Sequence, residues 1–186
     1  MLSRELFDAP RLEAALQRLT LQVLERYPQL GELCVIGLQP RGVFLAERLR
    51  KLLLAAAPEQ TFDYGLLDTT FYRDDLRRAD FPILPNATEI NFLVENRPVL
   101  LVDDVLYTGR TVRAALDALL TYGRPRQVEL MVLIDRRGMR QLPVEANYTG
   151  IAVDTRPGEK VYVEWQEKHG QDRVRIALPE PQPQTR

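Results

Sequence analysis

Apolar runs in the middle of the chain predict three buried strands, over residues 33–36, 99–102 and 128–134. Strands with little polar alternation are typical of a parallel sheet that has helices on both faces. The spacing of apolar residues predicts helices over residues 43–56 and from about residue 109 to 122, after the first and second of these strands. The pattern therefore predicts a doubly wound α/β fold, in which ligands bind at the carboxyl edge of the sheet.

The segments around this core predict a helix, a further strand and a loop. Asp8 and Pro10 form a helix-start signal, and apolar residues recur behind them at helical spacing. Residues 62–72 predict a strand. The polar residues 73–95 predict a long loop, and loops of that length are usually functional or mobile.

The last part of the chain predicts two short strands and a tail. Residues 161–165 and 174–176 are short apolar stretches that we interpret as strands appended to the core. Residues 179–186 are rich in proline and predict a disordered tail. We therefore expect one domain over residues 1–178.

Composition narrows the class of protein. The 186 residues, 45% hydrophobic and 27% charged, suit one soluble domain. Because no apolar run could cross a bilayer and no signal core opens the chain, we expect a cytoplasmic protein without a membrane partner. A formal charge of −1 gives no general support for nucleic-acid binding. Cys34 is the only cysteine and His169 the only histidine, which excludes an intramolecular disulfide and a His/Cys zinc site.

One segment, residues 99–111, has the features of a sugar-phosphate site. The predicted strand delivers two adjacent carboxylates, Asp103 and Asp104, to the edge of the sheet, and a loop rich in threonine and glycine then enters a helix. Glycine allows close approach of the backbone to a ligand, and amides at a helix start suit a phosphate. Acids beside a phosphate would repel it unless they bind hydroxyls or a cation. The segment therefore predicts a phosphorylated sugar as ligand, against the alternative of a purely structural connection.

The same segment, Val-Leu-Leu-Val-Asp-Asp-Val-Leu-Tyr-Thr-Gly-Arg-Thr, resembles the phosphoribosyl pyrophosphate (PRPP) signature of type I phosphoribosyltransferases. Tyr107 is unusual among them, and its surroundings are similar to the PyrR family of bifunctional pyrimidine-operon regulators and uracil phosphoribosyltransferases. Residues 37–42, 67–76 and 135–143 resemble that family's pyrophosphate loop, catalytic loop and base-site segment. The resemblance covers most of the chain. It implies a type I phosphoribosyltransferase fold, a parallel sheet flanked by helices with a small hood of short strands.

The resemblance also implies a reaction, in which uracil N1 attacks C1 of PRPP to form UMP and release magnesium pyrophosphate. Asp103 and Asp104 would hold the ribose hydroxyls and offset charge on the sugar ring, and Arg73 would close over pyrophosphate from the catalytic loop. Pro40 departs from the threonine expected at its position and removes an N–H donor. Mg²⁺ would be bound mainly through PRPP, with no dedicated protein site. The implied PRPP contacts are Gln39, Pro40, Arg41, Gly42, Asp103, Asp104, Val105, Leu106, Tyr107, Thr108, Gly109, Arg110 and Thr111.

Base binding is implied for Val161 and for one arginine. The chain has both Arg136 and Arg137 where relatives usually have a single arginine, so either is a candidate. A purine phosphoribosyltransferase, the alternative enzyme, predicts an aromatic stacking residue and a lysine in residues 135–143, which contain neither. The resemblance further implies a homodimer or a homotetramer.

The second activity implied by the family is UMP-dependent binding of a pyrimidine-operon leader mRNA. Arg18, Arg26 and Arg140 are the candidate contacts, since RNA affinity depends strongly on cations. Positions where RNA-binding members usually carry other, often basic, residues hold Gln17, Leu21, Met139, Glu145 and Ile151. The sequence therefore favours the enzyme and leaves regulation open, with a purely regulatory nucleotide-sensing RNA-binding protein as the alternative.

Overall fold

The structure of the protein, a computed structural model, describes residues 3–73 and 85–178. The predicted tail at residues 179–186 lies outside the described residues, as do residues 74–84 of the predicted loop. In chain order the elements are β1 (Arg4–Phe7), α1 (Ala9–Arg26), β2 (Cys34–Leu38), α2 (Gly42–Ala56), β3 (Asp63–Leu67), β4 (Pro98–Leu106), α3 (Arg110–Leu119), β5 (Gln127–Arg137), β6 (Tyr148–Asp154), β7 (Lys160–Glu164), α4 (Gln166–His169) and β8 (Arg173–Ala177).

Five parallel strands form the central sheet, in the order β3-β2-β4-β5-β6. The first seven residues of the central strand β4 are all buried, because helices cover both faces of the sheet. Helices α1 and α2 pack with Leu100, Val102 and Met131 on one face, and α3 packs with Leu101 and Val132 on the other. This arrangement confirms the predicted doubly wound α/β fold.

The first helix begins where the sequence predicts. The Asp8 carboxylate accepts a hydrogen bond of 3.0 Å from the Arg11 N–H, and Pro10 occupies the first turn. This cap satisfies one of the amides that a helix start leaves without a partner, and proline is tolerated there because its missing N–H would have no partner.

A second, antiparallel sheet of three strands forms the hood, in the order β1-β8-β7. Strands β7 and β8 confirm the two short strands predicted near the end of the chain. Strand β1 was not predicted, because its exposed Arg4 and Glu5 leave no apolar run. The hood buries Phe7, Trp165 and Ile176 in the same apolar cluster as α1 and α2, which fixes it to one face of the core.

Two further expectations are corrected. The strand predicted over residues 62–72 ends at Leu67, and residues 70–72 form a 3₁₀ helix. The cause is local: the Asp68 carboxylate accepts a hydrogen bond of 2.6 Å from the Thr70 N–H, which turns the chain out of the sheet. The fifth strand, β6, was not predicted, since four of its seven residues are half-buried and it lies at the edge of the sheet.

Candidate active site

A cavity of about 700 Å³ lies at the carboxyl ends of β2, β4 and β5. Four parts of the core and one part of the hood contribute its walls, as expected for a ligand site at the carboxyl edge of a parallel sheet. Its lining residues are Gln39, Pro40 and Arg41 after β2, Arg73 after β3, Asp103, Asp104, Val105, Tyr107 and Thr111 from β4 to the start of α3, Arg136 and Met139 around the end of β5, and Gly158, Glu159, Lys160 and Val161 from the hood.

Two adjacent acids lie at the centre of this cavity wall. Asp103 is 8% exposed and Asp104 is 5% exposed, and Asp103 Oδ1 accepts a hydrogen bond of 2.9 Å from the Asp104 N–H. Burial, followed by the charge of Asp104, raises the pKa of Asp103 well above its usual range. Burial also raises the pKa of Asp104, although the charge of Arg41 opposes that rise. Two desolvated carboxylates suit a ligand that brings hydroxyl donors and a cation.

The start of α2 approaches β4 so closely that it requires glycine. A Cβ atom on Gly42 would lie 2.9 Å from the Cα of Asp103 and would also overlap the Val102 carbonyl oxygen. Because both of these atoms belong to the backbone, neither can move aside without shifting a strand. The close approach places Arg41 and the first amides of α2 beside the acid pair.

The loop between β4 and α3 surrounds a smaller cavity of about 290 Å³. Gly109 has a φ of +90°, a left-handed conformation that favours glycine, and it directly precedes the first turn of α3. The Thr108 hydroxyl oxygen accepts a long hydrogen bond of 3.4 Å from the Arg110 N–H. Arg73 reaches the same loop, with its Nη1 3.3 Å from Thr111 Oγ1. Amides and hydroxyls gathered at a helix start suit an anion.

The Asp68 carboxylate joins the two ends of the segment that carries Arg73. Its Oδ1 accepts the Thr70 N–H described above, and its Oδ2 accepts the N–H of Asn86. Burial alone would raise the pKa of Asp68, but the hydrogen bonds from Thr70 and Asn86 lower it below the usual range. Gln39 ties the pyrophosphate-loop segment to the same region, through a hydrogen bond of 2.5 Å to the Ala87 carbonyl. Sequence reasoning did not identify Asp68.

The structure separates the two candidate base-site arginines. Arg136 is 6% exposed and lines the active-site cavity, with its guanidinium carbon 4.0 Å from the centre of the Tyr107 ring. Its Nη2 donates to Thr155 Oγ1 at 3.0 Å and to the Glu159 carbonyl at 2.9 Å. Arg137 is exposed and lines a different cavity. Successive residues at the end of β5 point in opposite directions, so only Arg136 shares a wall with Val161.

Sequence reasoning also missed the hood loop as part of the site. Gly158, Glu159 and Lys160 line the cavity beside Val161. Met139, which the sequence indicates only as an RNA-facing position, lies in the same wall. The sequence did offer one signal for this loop. Lys160 directly precedes Val161, the predicted base-site residue, at the start of a predicted strand.

The residues considered for RNA binding occupy two separate surfaces. Arg140 lies in the β5–β6 groove, a cavity of about 990 Å³. Its Nη2 forms an ion pair of 2.5 Å with Asp135. Arg18 donates a hydrogen bond of 2.5 Å to the carbonyl of Gly150, which lines this groove. Arg26 lies in a separate depression, where its Nε is 3.4 Å from a carboxylate oxygen of Glu129. The lining of the β5–β6 groove is Asp135, Arg137, Gly138, Arg140, Pro143, Val144, Glu145, Ala146, Thr149, Gly150, Ile151 and Ala152.

Other chemical groups in the described part of the chain do not form a second site. Burial raises the pKa of the Cys34 thiol to about 11. His169 accepts a hydrogen bond of 2.9 Å from the Trp165 N–H through Nδ1. Among residues 3–73 and 85–178, no cluster of three or more His, Cys, Asp and Glu side chains could bind a metal ion. Every helix in those ranges is too short or too polar to span a membrane.

Comparisons with known proteins agree with this geometry. A family model described as the phosphoribosyl transferase domain matches residues 3–169. A hypoxanthine phosphoribosyltransferase structure from Staphylococcus aureus matches with a TM-score of 0.69 and 19% identity, over 95% of this chain and 92% of that chain. A hypoxanthine-guanine phosphoribosyltransferase structure from Bacillus anthracis matches with a TM-score of 0.70 and 17% identity, over 95% and 98%. At these identities the structures establish the fold, and fold and site together define a phosphoribosyltransferase domain.

The sequence relatives narrow this class further. A bifunctional protein PyrR from Desulfosudis oleivorans is 42% identical over 172 residues, which are 92% of this chain and 94% of the relative. Another from Syntrophobacter fumaroxidans is 44% identical over 174 residues, or 94% and 92%. The chain therefore belongs to the PyrR family. The family predicted from the motif at residues 99–111 is confirmed, and with it the prediction of a phosphoribosyltransferase.

Proposed function

We propose that this chain transfers the ribosyl phosphate of PRPP to uracil, forming UMP and pyrophosphate. The observation that carries the proposal is the placement of two buried carboxylates, Asp103 and Asp104, directly beside a glycine-containing helix start in one cavity. In the reaction a bond forms between uracil N1 and C1 of the ribose, the bond from C1 to pyrophosphate breaks, and the N1 proton is released.

Asp103 and Asp104 are proposed to bind the ribose hydroxyls. Hydroxyl donors would compensate the burial that raises the pKa of both carboxyl groups. As the pyrophosphate leaves, positive charge develops on the ring, and fixed carboxylates nearby stabilise it without reorganisation. The 5′-phosphate is proposed to bind the loop of residues 108–111, whose amides and hydroxyls surround the smaller cavity.

Pyrophosphate is proposed to bind between Arg41 and Arg73. Arg41 and the first turn of α2 approach the acid pair from one side, and Arg73 reaches Thr111 from the other. The Gln39 side-chain amide donates to the Ala87 carbonyl, which holds this loop in place, and Gln39 also lines the cavity. Pro40 lines the cavity and offers no N–H there. Magnesium bound through PRPP would neutralise part of the pyrophosphate charge, and the cavity's buried acids suit ligand hydroxyls held near such a cation.

Uracil is proposed to bind between Val161 and the end of β5. Arg136 is the arginine of the pair that shares this wall, and its bonds to Thr155 and Glu159 fix the hood loop beside Val161. Tyr107, which stacks on the Arg136 guanidinium, closes the same side of the cavity. Arg137 is not assigned a role in base binding, since it faces the β5–β6 groove.

Leader-RNA binding is a second proposed activity, supported by membership of the PyrR family. The β5–β6 groove is its proposed surface because it gathers Arg137 and Arg140, with Arg18 bonded to its wall. Glu145 lies in the same groove, and Arg140 is paired with Asp135. We expect weak RNA binding that depends mainly on Arg137, since phosphate contacts require cations with free donors.

The test measures UMP formation from uracil and PRPP with magnesium, and RNA binding in the same preparation. Hypoxanthine in place of uracil tests for a purine enzyme. Asp103→Asn removes one acid of the pair. Its control is Asp154→Asn, which removes an exposed carboxylate outside the cavity. We expect UMP formation that Asp103→Asn slows about 10²–10³-fold and Asp154→Asn leaves unchanged. Formation of IMP with no UMP would refute the proposed substrate. A leader hairpin is titrated with and without UMP, and tight binding retained in Arg137→Ala would refute the proposed RNA surface.

A further inference from the structure

Outside the active-site cavity, one arginine of α2 holds two acids of the hood. Arg48 donates to the Glu167 carboxylate from Nε at 2.9 Å and from Nη2 at 2.8 Å. It donates to the Asp172 carboxylate from Nη1 at 2.8 Å and from Nη2 at 2.7 Å. The guanidinium also lies over the Trp165 ring, 4.9 Å from its centre. We call these four residues the hood clamp.

The clamp is stronger than an ordinary surface ion pair. The Arg48 side chain is 14% exposed and that of Asp172 is 18% exposed, so water screens this pair weakly. Hydrogen bonds from Arg48 lower the pKa of Glu167. Burial would raise the pKa of Asp172, but hydrogen bonds from Arg48 and from the Gln166 N–H, together with the charge of Arg48, lower it. Two bidentate contacts from one planar guanidinium fix both distance and orientation, which a lysine could not do.

Both elements joined by the clamp, α2 and β7, begin in the walls of the active-site cavity. Helix α2 begins at Gly42, next to Arg41 in the cavity wall, and Arg48 lies six residues further on, or about 9 Å along the helix. Strand β7 begins with Lys160 and Val161 in the opposite wall and runs about 15 Å to the clamp at Trp165. The clamp therefore joins the middle of α2 to the region just after β7, and the starts of both elements line the cavity.

The two elements differ in how firmly they are held elsewhere. Helix α2 buries Leu45, Leu49 and Leu53 against the central sheet, so its position does not depend on the hood. Within residues 3–73 and 85–178, strand β7 has β8 as its single hydrogen-bonded neighbour, and one of the five residues of β7 is buried. Loss of the clamp leaves the hood attached to the core mainly by its apolar contacts, and these contacts are less directional than hydrogen bonds. It is therefore expected to shift the hood wall and to leave the helix in place.

We propose that Arg48 is a positioning residue that sets the distance of the hood wall, and hence of Val161, from the rest of the base site. The proposal rests on the proposed binding of uracil between Val161 and Arg136. It predicts that breaking the clamp weakens uracil binding selectively, because PRPP contacts come from the core and uracil contacts come partly from the hood.

The test compares Arg48→Met with Arg50→Met, a matched control on the same helix. Arg50 pairs with Glu47 within α2 and lies over Tyr64 of β3, and both of these contacts lie outside the hood. We expect Arg48→Met to raise the KM for uracil about 10-fold, since small displacements of a binding wall have effects of this order or larger. The KM for PRPP should change less than about 2-fold, and the control should change neither value. Equal rises in both KM values, or no rise for uracil, would overturn the proposal.

Trp165 gives a second measurement that does not depend on activity. It is the only tryptophan of the chain, so its fluorescence reports on the clamp alone. Arg48→Met should shift the emission to longer wavelength and speed amide hydrogen exchange in β7, and Arg50→Met should do neither. If the wild-type protein forms no UMP, the proposed function fails, while unchanged exchange in β7 would refute the clamp separately. If Arg48→Met does not fold, Glu167→Gln replaces it in the test. This variant removes one charge of the clamp, at a side chain that is 44% exposed, and should cause the same changes to a smaller extent.

Discussion

Replacing Asp103 with asparagine should make the protein more stable and much less active. The carboxylate is 8% exposed, lies next to a second buried acid, and has its pKa raised by burial and by the charge of Asp104. Asparagine has nearly the same shape, and its carbonyl oxygen can still accept the Asp104 N–H that Asp103 accepts at 2.9 Å. The substitution therefore removes a desolvated charge and preserves the local hydrogen bond.

The expected gain in the free energy of unfolding at neutral pH is about 1–3 kcal/mol, the usual cost of a buried polar group without a full set of partners. For a chain of this size each kcal/mol raises Tm by about 2–4 °C. The rate of UMP formation should fall about 10²–10³-fold, the usual effect of removing one fixed electrostatic group from an active site. Stability and function therefore make opposite demands on Asp103.

The pH dependence follows from the direction of the shift. Because the folded-state pKa of Asp103 is raised, its contribution to stability is fully present below its ordinary pKa of 3.8 and is lost as the pH rises through the folded-state value. Asparagine does not titrate, so the Tm difference between variant and wild type should grow with pH. Calorimetry from pH 4.5 to 8, with Asp154→Asn as control, measures this difference. A variant that melts below wild type throughout this range would show that the burial argument is wrong.

Three further substitutions test other parts of the active site and the hood clamp. Gly42→Ala should destabilise the fold by about 1–3 kcal/mol in denaturant unfolding, because its Cβ would overlap β4. Gly31→Ala is the control, since a Cβ there would have no atom within 4 Å, and equal losses of stability in the two variants would contradict the packing argument. Asp68→Asn should raise the KM for PRPP about 10-fold by releasing the segment that carries Arg73, and an unchanged KM would exclude that role. The pKa values of both clamp acids are lowered, so the stability that Arg48 adds should be fully present above about pH 4.5 and decrease as the pH falls towards the folded-state values. A Tm difference from Arg48→Met that does not decrease below pH 4.5 would refute this.

The sequence alone determined the family and the centre of the site. The motif at residues 99–111 is contiguous, so its acids, glycine and threonines are brought together by one strand, one turn and one helix start. Continuous apolar strands at residues 33–36 and 99–102 indicate burial on both faces, and that property fixes a parallel sheet covered by helices. Both inferences depend on neighbours in the chain, which is why a single sequence suffices for them.

Tertiary structure alone decided which distant residues join the site. The choice between Arg136 and Arg137 depends on the direction in which each side chain leaves the end of β5, and a shift of one residue would exchange them. The edge strand β6 has a weak apolar pattern because one side of it has no neighbouring strand. The ion pair of Arg48 with Glu167 spans 119 residues of sequence. Such contacts arise from the packing of the hood on α2, and no local pattern encodes them.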